Sequence, residues 1–332
     1  MTPPPSTLLA HTLAATLLVT VSCVPPAAAA PPTGSAPSAD AAAASADVGI
    51  RTEVHDRAGR RLAGICVFAT VVKTFAFPDF CPARSDSQGR VTVPVPGPGT
   101  YTLFALPDSG SRYGAQWVGR DGGTGIQQQA ARITVAADAT APAPTIYLDR
   151  RAAITGMVTL GPIGNGTVGI VGPDPDGRRD PRYAPIATDG AFHIDWLGPY
   201  AWPLLFQADG YPYQWSGGVG NRLLAEPVPA STTPSTYWYP LRRGADVAVV
   251  VPDQPGPGRL VVRNVATQDP VAVIDHDNWA EGKQFSLLSR QQVTLCWEGG
   301  GIVRWYGGTG AADAVPVAVR DRGGLELVLA PV

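Results

Sequence analysis

From Val48 onward, apolar and polar residues alternate in short runs; R-V-T-V-P-V from Arg90 and F-H-I-D-W-L from Phe192 are clear examples. A period of two puts successive side chains on opposite faces, so each run reads as a strand with one buried face. At the start of this region the pattern predicts seven strands, over 48–55, 62–72, 91–95, 100–105, 115–118, 131–136 and 144–149. No stretch sustains a 3.6-residue apolar period with caps, and 34 prolines would break most helices. Short strands at this density predict an antiparallel β-sandwich.

The pattern recurs. A turn led by glycine enters an alternating strand at Gly89, Gly190 and Gly282. An apolar strand follows, ending at Phe104, Phe206 and Cys296, and then an aromatic turn carrying Trp117-Val118-Gly119, Trp215-Ser216-Gly217 and Trp305-Tyr306-Gly307. The tryptophans lie 98 and 90 residues apart, a spacing suited to a small β-domain and too long for a solenoid repeat. The expected organisation is all-β: three tandem antiparallel sandwiches over 48–150, 151–243 and 244–332, with almost no linkers. A tryptophan placed alike in every copy reads first as a residue that holds its turn onto the sandwich.

Composition narrows the class of function. The chain has 332 residues with 25 basic and 27 acidic side chains, so no basic footprint for nucleic acid or an anionic membrane exists. Lysine occurs only at Lys73 and Lys283, and with abundant Ala, Gly and Pro this suggests a GC-rich bacterial genome. The run from Leu13 to Val24 has the length of a signal-peptide core and is too short to span a bilayer, although no Lys or Arg precedes it. Residues 1–30 are thus expected to be a signal peptide and 31–47 a disordered Ala/Pro/Ser-rich linker. Cleavage after Ala29 or Ala46 competes with lipidation at Cys23, where V-T-V-S-C approximates a lipobox. Secretion to the medium and lipid anchoring at the cell surface stay open.

Residues 48–150 resemble the carboxypeptidase regulatory-like domain, a transthyretin-like (Ig-like) sandwich. Asp56, Gly59, Leu62, Gly64, Asp86, Gly89, Gly99 and Tyr101 occupy its hallmark positions. The second copy keeps Gly156 and the Asp189-Gly190 turn, and the third has diverged most. The resemblance implies the fold and carries no shared chemistry.

The sequence offers little catalytic or metal-binding chemistry. His11, His55, His193 and His276 stand isolated, with no Glu three residues on and no partner at ligand spacing. Neither G-x-S-x-G nor H-E-x-x-H occurs. The acidic run Asp174–Asp180 contains Arg178 and Arg179, which oppose a cation, and Asp275-His276-Asp277 reads as a solvated loop. No cofactor and no metal are expected. Cys66 and Cys81 are expected to pair, given export; Cys296, aligned with Phe104 and Phe206, is expected to fill a core position as an unpaired small hydrophobe.

The remaining signal is aromatic. Trp196, Trp202, Tyr237, Trp238 and Tyr239 crowd the second copy without repeating elsewhere, which makes them candidates for stacking on a sugar, against the simpler reading that they fill a core. The expected function is a secreted, non-catalytic structural or binding protein of the bacterial surface or medium. Alternatives are carbohydrate recognition centred on the second copy and, further off, a hydrolase of unrecognised type. The expected partners are an envelope polysaccharide or another surface protein.

Overall fold

The computed structural model describes Cys23 and residues 48–159, 165–173, 182–321 and 324–331. The predicted signal peptide and linker, apart from Cys23, and the acidic run 174–180 lie outside the described residues. Within them the chain is built from strands, with two single-turn 3-10 helices at Gln127–Gln129 and Arg222–Leu224. No helix among the described residues is long and apolar enough to cross a membrane.

One pairing scheme appears in each of three successive stretches. The strand Gly49–Asp56 pairs antiparallel with Arg90–Pro94 and parallel with Thr140–Pro142 and Ile146–Leu148. Ala152–Thr159 does the same with Ala191–Leu197 and Thr236–Pro240, and Ala245–Val250 with Lys283–Leu287 and Leu325–Val328. A second sheet faces each of these, centred on Gly99–Leu106, Leu205–Ala208 and Gln291–Gly299. Among the described residues every strand ladder closes within 48–150, 151–243 or 244–332, and only the isolated bridge Ala115–Leu197 crosses.

The turns follow from local chemistry. The Asp56 carboxylate accepts the backbone N–H groups of Ala58 and Arg60, both at 2.9 Å, and Asp86 takes those of Gln88 and Arg90, both at 2.8 Å. The N–H of Arg60, opposed by burial and aided by the Arg60 side chain and Tyr113, holds the Asp56 carboxyl at about 2. Gly89 and Gly190 adopt φ of +72° and +91°, where a Cβ would lie 2.7 and 2.3 Å from the carbonyl oxygens of Val54 and Val158. Only glycine lets the turn come that close to the first strand.

Buried apolar residues form three main groups. Ile50, Val54, Leu103 and Ile146 fill the interior of 48–150, and Val247, Val249, Leu295 and Trp297 that of 244–332. The third group joins the interior of 151–243, including Ile154, Phe192, Phe206 and Tyr239, to the outer face of the second sheet of 48–150. The outer sheet face of segment one and the interior of segment two therefore form one continuous apolar body, apart from the interior of segment one.

Two sequence expectations fail here. Cys296 is bonded to Cys23, across 273 residues, so it is not free; this bond also occupies the Cys23 sulfur that lipidation would need. Pairing depended on which sheet faces which part of the chain, and spacing does not encode that. Phe206 does not align with Phe104 and Cys296 either. The cross-strand partners of Trp117, Trp215 and Trp305 are Phe104, Leu205 and Cys296. The run P-L-L-F is apolar throughout, so alternation could not set its register, and a slip of one residue turns Phe206 inward.

Candidate functional site

The described chain concentrates its unusual side chains where the segments meet. Cys66 and Cys81 are bonded, closing the loop that returns from the strand Cys66–Val71. That loop carries Phe75 and Phe77. Phe75 lies 4.6 Å from the Trp117 ring and 5.3 Å from Phe104, centroid to centroid. From the second segment, Trp196 meets Phe77 at 6.1 Å and Trp202 meets Phe104 at 6.2 Å. Edge-to-face contacts of this kind add to the apolar area they bury. At the rim of this junction, Arg57 forks onto Asp149 with two 2.7 Å bonds, and the hydroxyl of Tyr200 donates to the same carboxylate. Burial would raise the Asp149 carboxyl, but Arg57 and Tyr200 outweigh it and hold the group below its ordinary value.

Beside the Cys66–Cys81 bond opens a cleft of about 550 Å³ between the first two segments. Trp196, Leu106 and the disulfide supply apolar lining, with Phe80, 78% exposed, at the mouth. Arg84 paired with Asp108, and Asp195 paired with Arg151, bring hydrogen-bonding groups to it, together with His193. Volume and composition fall in the range of small-molecule sites.

The second and third segments meet differently. Arg222, only 4% exposed, donates to Asp269 of the third segment at 3.1 Å, to Gln127 of the first at 2.9 Å and to the carbonyl of Lys73 at 2.8 Å. Its guanidinium also lies 5.7 Å from the centre of the Phe75 ring. One side chain thus touches all three segments. Asn221 positions it by accepting the N–H of Leu223 and so capping the short turn. Gln127 is satisfied in turn, donating to Thr70, Thr74 and Thr102. Burial lifts the Asp269 carboxyl above its usual range, while Arg222 pulls the other way.

Among the described residues no cluster of His, Cys, Asp and Glu could hold a metal ion. His55 sits 3.1 Å from Glu53, and Asp275 of the D-H-D run is paired with Arg259.

No family model matches the chain, and no curated protein sequence matches it. Solved structures give distant likenesses. The Bacillus anthracis TIE protein aligns at 9% identity and a TM-score of 0.22, over 85% of this chain and 50% of that one. A streptococcal ancillary pilin aligns at 13% and 0.25, over 59% and 62%. The major pilin subunit of Bacillus cereus aligns at 9% and 0.20, over 85% and 98%. This chain spans half of the first and under two thirds of the second. TM-scores of 0.25 and below do not equate folds.

The five aromatic candidates divide by exposure. Trp202 and Tyr239 are buried, at 0% and 2%, and Tyr239 stacks on Phe206 inside the sandwich, which removes both as ligand platforms. Strand alternation had left open which face was inward, and the inner face took Tyr239. Tyr237 is half-buried and stacks beside Tyr239. Trp238 points outward, 62% exposed, on a strand at the edge of its sheet. Trp196 alone of the five lines the cleft. Trp117, Trp215 and Trp305 are all buried, and Gly217 and Gly307 behind the latter two adopt φ of +86° and +67°. Gly119 is placed differently: its N–H donates to Gly122, whose carbonyl would sit 2.6 Å from a Cβ there. Nothing in the sequence marked Arg222.

Proposed function

We propose that the chain is an exported, non-catalytic structural or binding element of the bacterial surface or medium, made of three tandem sandwich units of the carboxypeptidase regulatory-like, transthyretin-like kind over 48–150, 151–243 and 244–332. The observation that carries this reading is the recurrence of equivalent positions. Phe68–Phe104–Trp117, Gly169–Leu205–Trp215 and Val261–Cys296–Trp305 are cross-strand neighbours in the same order on the same sheet of each unit. Docking through Arg222 and the aromatic junction makes the three units a spacer of fixed geometry. Protease shaving of intact cells, with assay of the medium, tests the location. Accumulation in a protected cytoplasmic pool ends the proposal.

A second reading is favoured by the cleft. A flat ring, Trp196, beside paired guanidinium and carboxylate groups offers a sugar a stacking face and hydroxyl partners. Retention on insoluble polysaccharide or peptidoglycan that is lost in Trp196→Ala and kept in Trp238→Ala supports a saccharide site in the cleft. Equal loss in both variants, or no retention by the parent, rejects it.

A further inference from the structure

The three equivalent outer faces differ in what covers them. In the first unit, Phe68, Phe104 and Trp117 lie under Phe75, Phe77 and the neighbouring unit's Trp202. In the second, the Tyr183 ring stands where a Cβ on Gly169 would be, 2.0 Å away. In the third, among the described residues, the apolar set Val261, Cys296 and Trp305 is covered by Cys23, with the partly buried Val303, Ala311 and Ala314 packed beside it.

Cys23 is held there by more than its sulfur. Its N–H donates to the Glu298 carboxylate at 3.2 Å, its carbonyl accepts from Arg263 at 3.4 Å, and it is 3% exposed. Where the first unit has phenylalanine, the third has a cysteine facing the same way, at Cys296. Left uncovered, these apolar side chains on the outer face of the sheet would stand in water.

We infer that the outer face of the third sheet is a docking surface for this chain's own Cys23, which caps the last unit and belongs to the folded exported protein. Export processing then acts on the amino-terminal side of Cys23, not after Ala29 or Ala46. The bond forms from two thiols, which give up two protons and two electrons to a disulfide-bearing oxidoreductase of the envelope. The inference rests on the export part of the proposed function and not on the cleft.

The full chain, expressed in a bacterial host with its own amino-terminal region and recovered from medium and envelope, provides the test. Non-reducing peptide mapping should yield one linked pair containing Cys23 and Cys296 beside the Cys66–Cys81 pair, and maleimide should label no thiol until reduction exposes all four. Cys23→Ser should make Cys296 reactive and increase acrylamide quenching of tryptophan, with secondary structure by circular dichroism unchanged. An amino terminus beyond Cys23, or diacylglycerol on Cys23, with Cys296 labelled before reduction, overturns the inference. Retention of the whole chain in the cytoplasm would instead be a failure of the export reading, recognisable because both disulfides would be absent together.

Discussion

The two junctions of the molecule use opposite chemistry. Between the first and second units lies a mainly apolar contact, built on Phe75, Phe77, Phe104, Trp117, Trp196 and Trp202, with Tyr200 and Arg222 adding hydrogen bonds across it. Between the second and third units a single buried guanidinium reaches Asp269, and Gly220 lets the Gln291 amide approach to where its Cβ would be. Apolar contact is non-directional and tolerates small shifts, whereas a buried ion pair demands its partners at fixed positions and penalises the loss of either one. One all-β chain therefore holds a joint that is fixed mainly by area and another that is fixed by geometry.

Substitutions at the two joints should separate these cases. Phe104→Ala removes a fully buried ring from the apolar junction and should cost about 3–5 kcal/mol, read as a lower thermal midpoint with the first two units unfolding in separate steps. A single unchanged transition would sink the idea that they share one apolar body. Arg222→Ala leaves Asp269 buried and unpaired and should cost about 3–5 kcal/mol. The double variant Arg222→Met with Asp269→Leu should recover part of that loss, since Gln127 and the Lys73 carbonyl still lack their donor, while Phe104→Ala has no such polar rescue. If the double variant is as unstable as the single one, packing and not charge governs the joint.

Smaller effects sharpen the picture. Cys66→Ser opens a 15-residue loop and should cost about 3 kcal/mol under oxidising conditions; because that loop holds Phe75, the effect should appear at the apolar junction. Acidification provides a further handle. The Asp56 carboxyl is held at about 2 against an ordinary value of 3.8, so its contribution is present above 3.8 and is lost as pH falls toward 2. Chemical denaturation of Asp56→Asn should show a flatter acid limb than the parent, and an identical limb would rule out the turn as its source. Trp238→Ala, on an exposed edge, should change stability by no more than about 0.5 kcal/mol.

Much of the fold was legible in the chain because strand alternation and Asp-x-x-Gly turns are local. The seven strands predicted for the first unit all occur, from Gly49–Asp56 to Ile146–Leu148, with two short additions at Gly123–Thr124 and Thr140–Pro142. Register at Leu205 was not legible, since three successive apolar residues satisfy either face. The candidate site was less visible still. Arg222 acts only through partners more than 45 residues away, and Cys23 was hidden inside a hydrophobic run that reads as an export signal. Trp202 and Tyr239 fill the core, the simpler of the two readings the sequence left open, because an aromatic residue on a strand announces its size but not the side its neighbours occupy.

In every unit the first strand runs parallel to the last. The polypeptide consequently enters each of these sheets at one end and leaves it at the other. A pull on the two ends of such a unit loads the hydrogen bonds between those strands together, in shear, and not one after another as in an unzipping hairpin. A sandwich connected in this way is suited to bearing tension along its length.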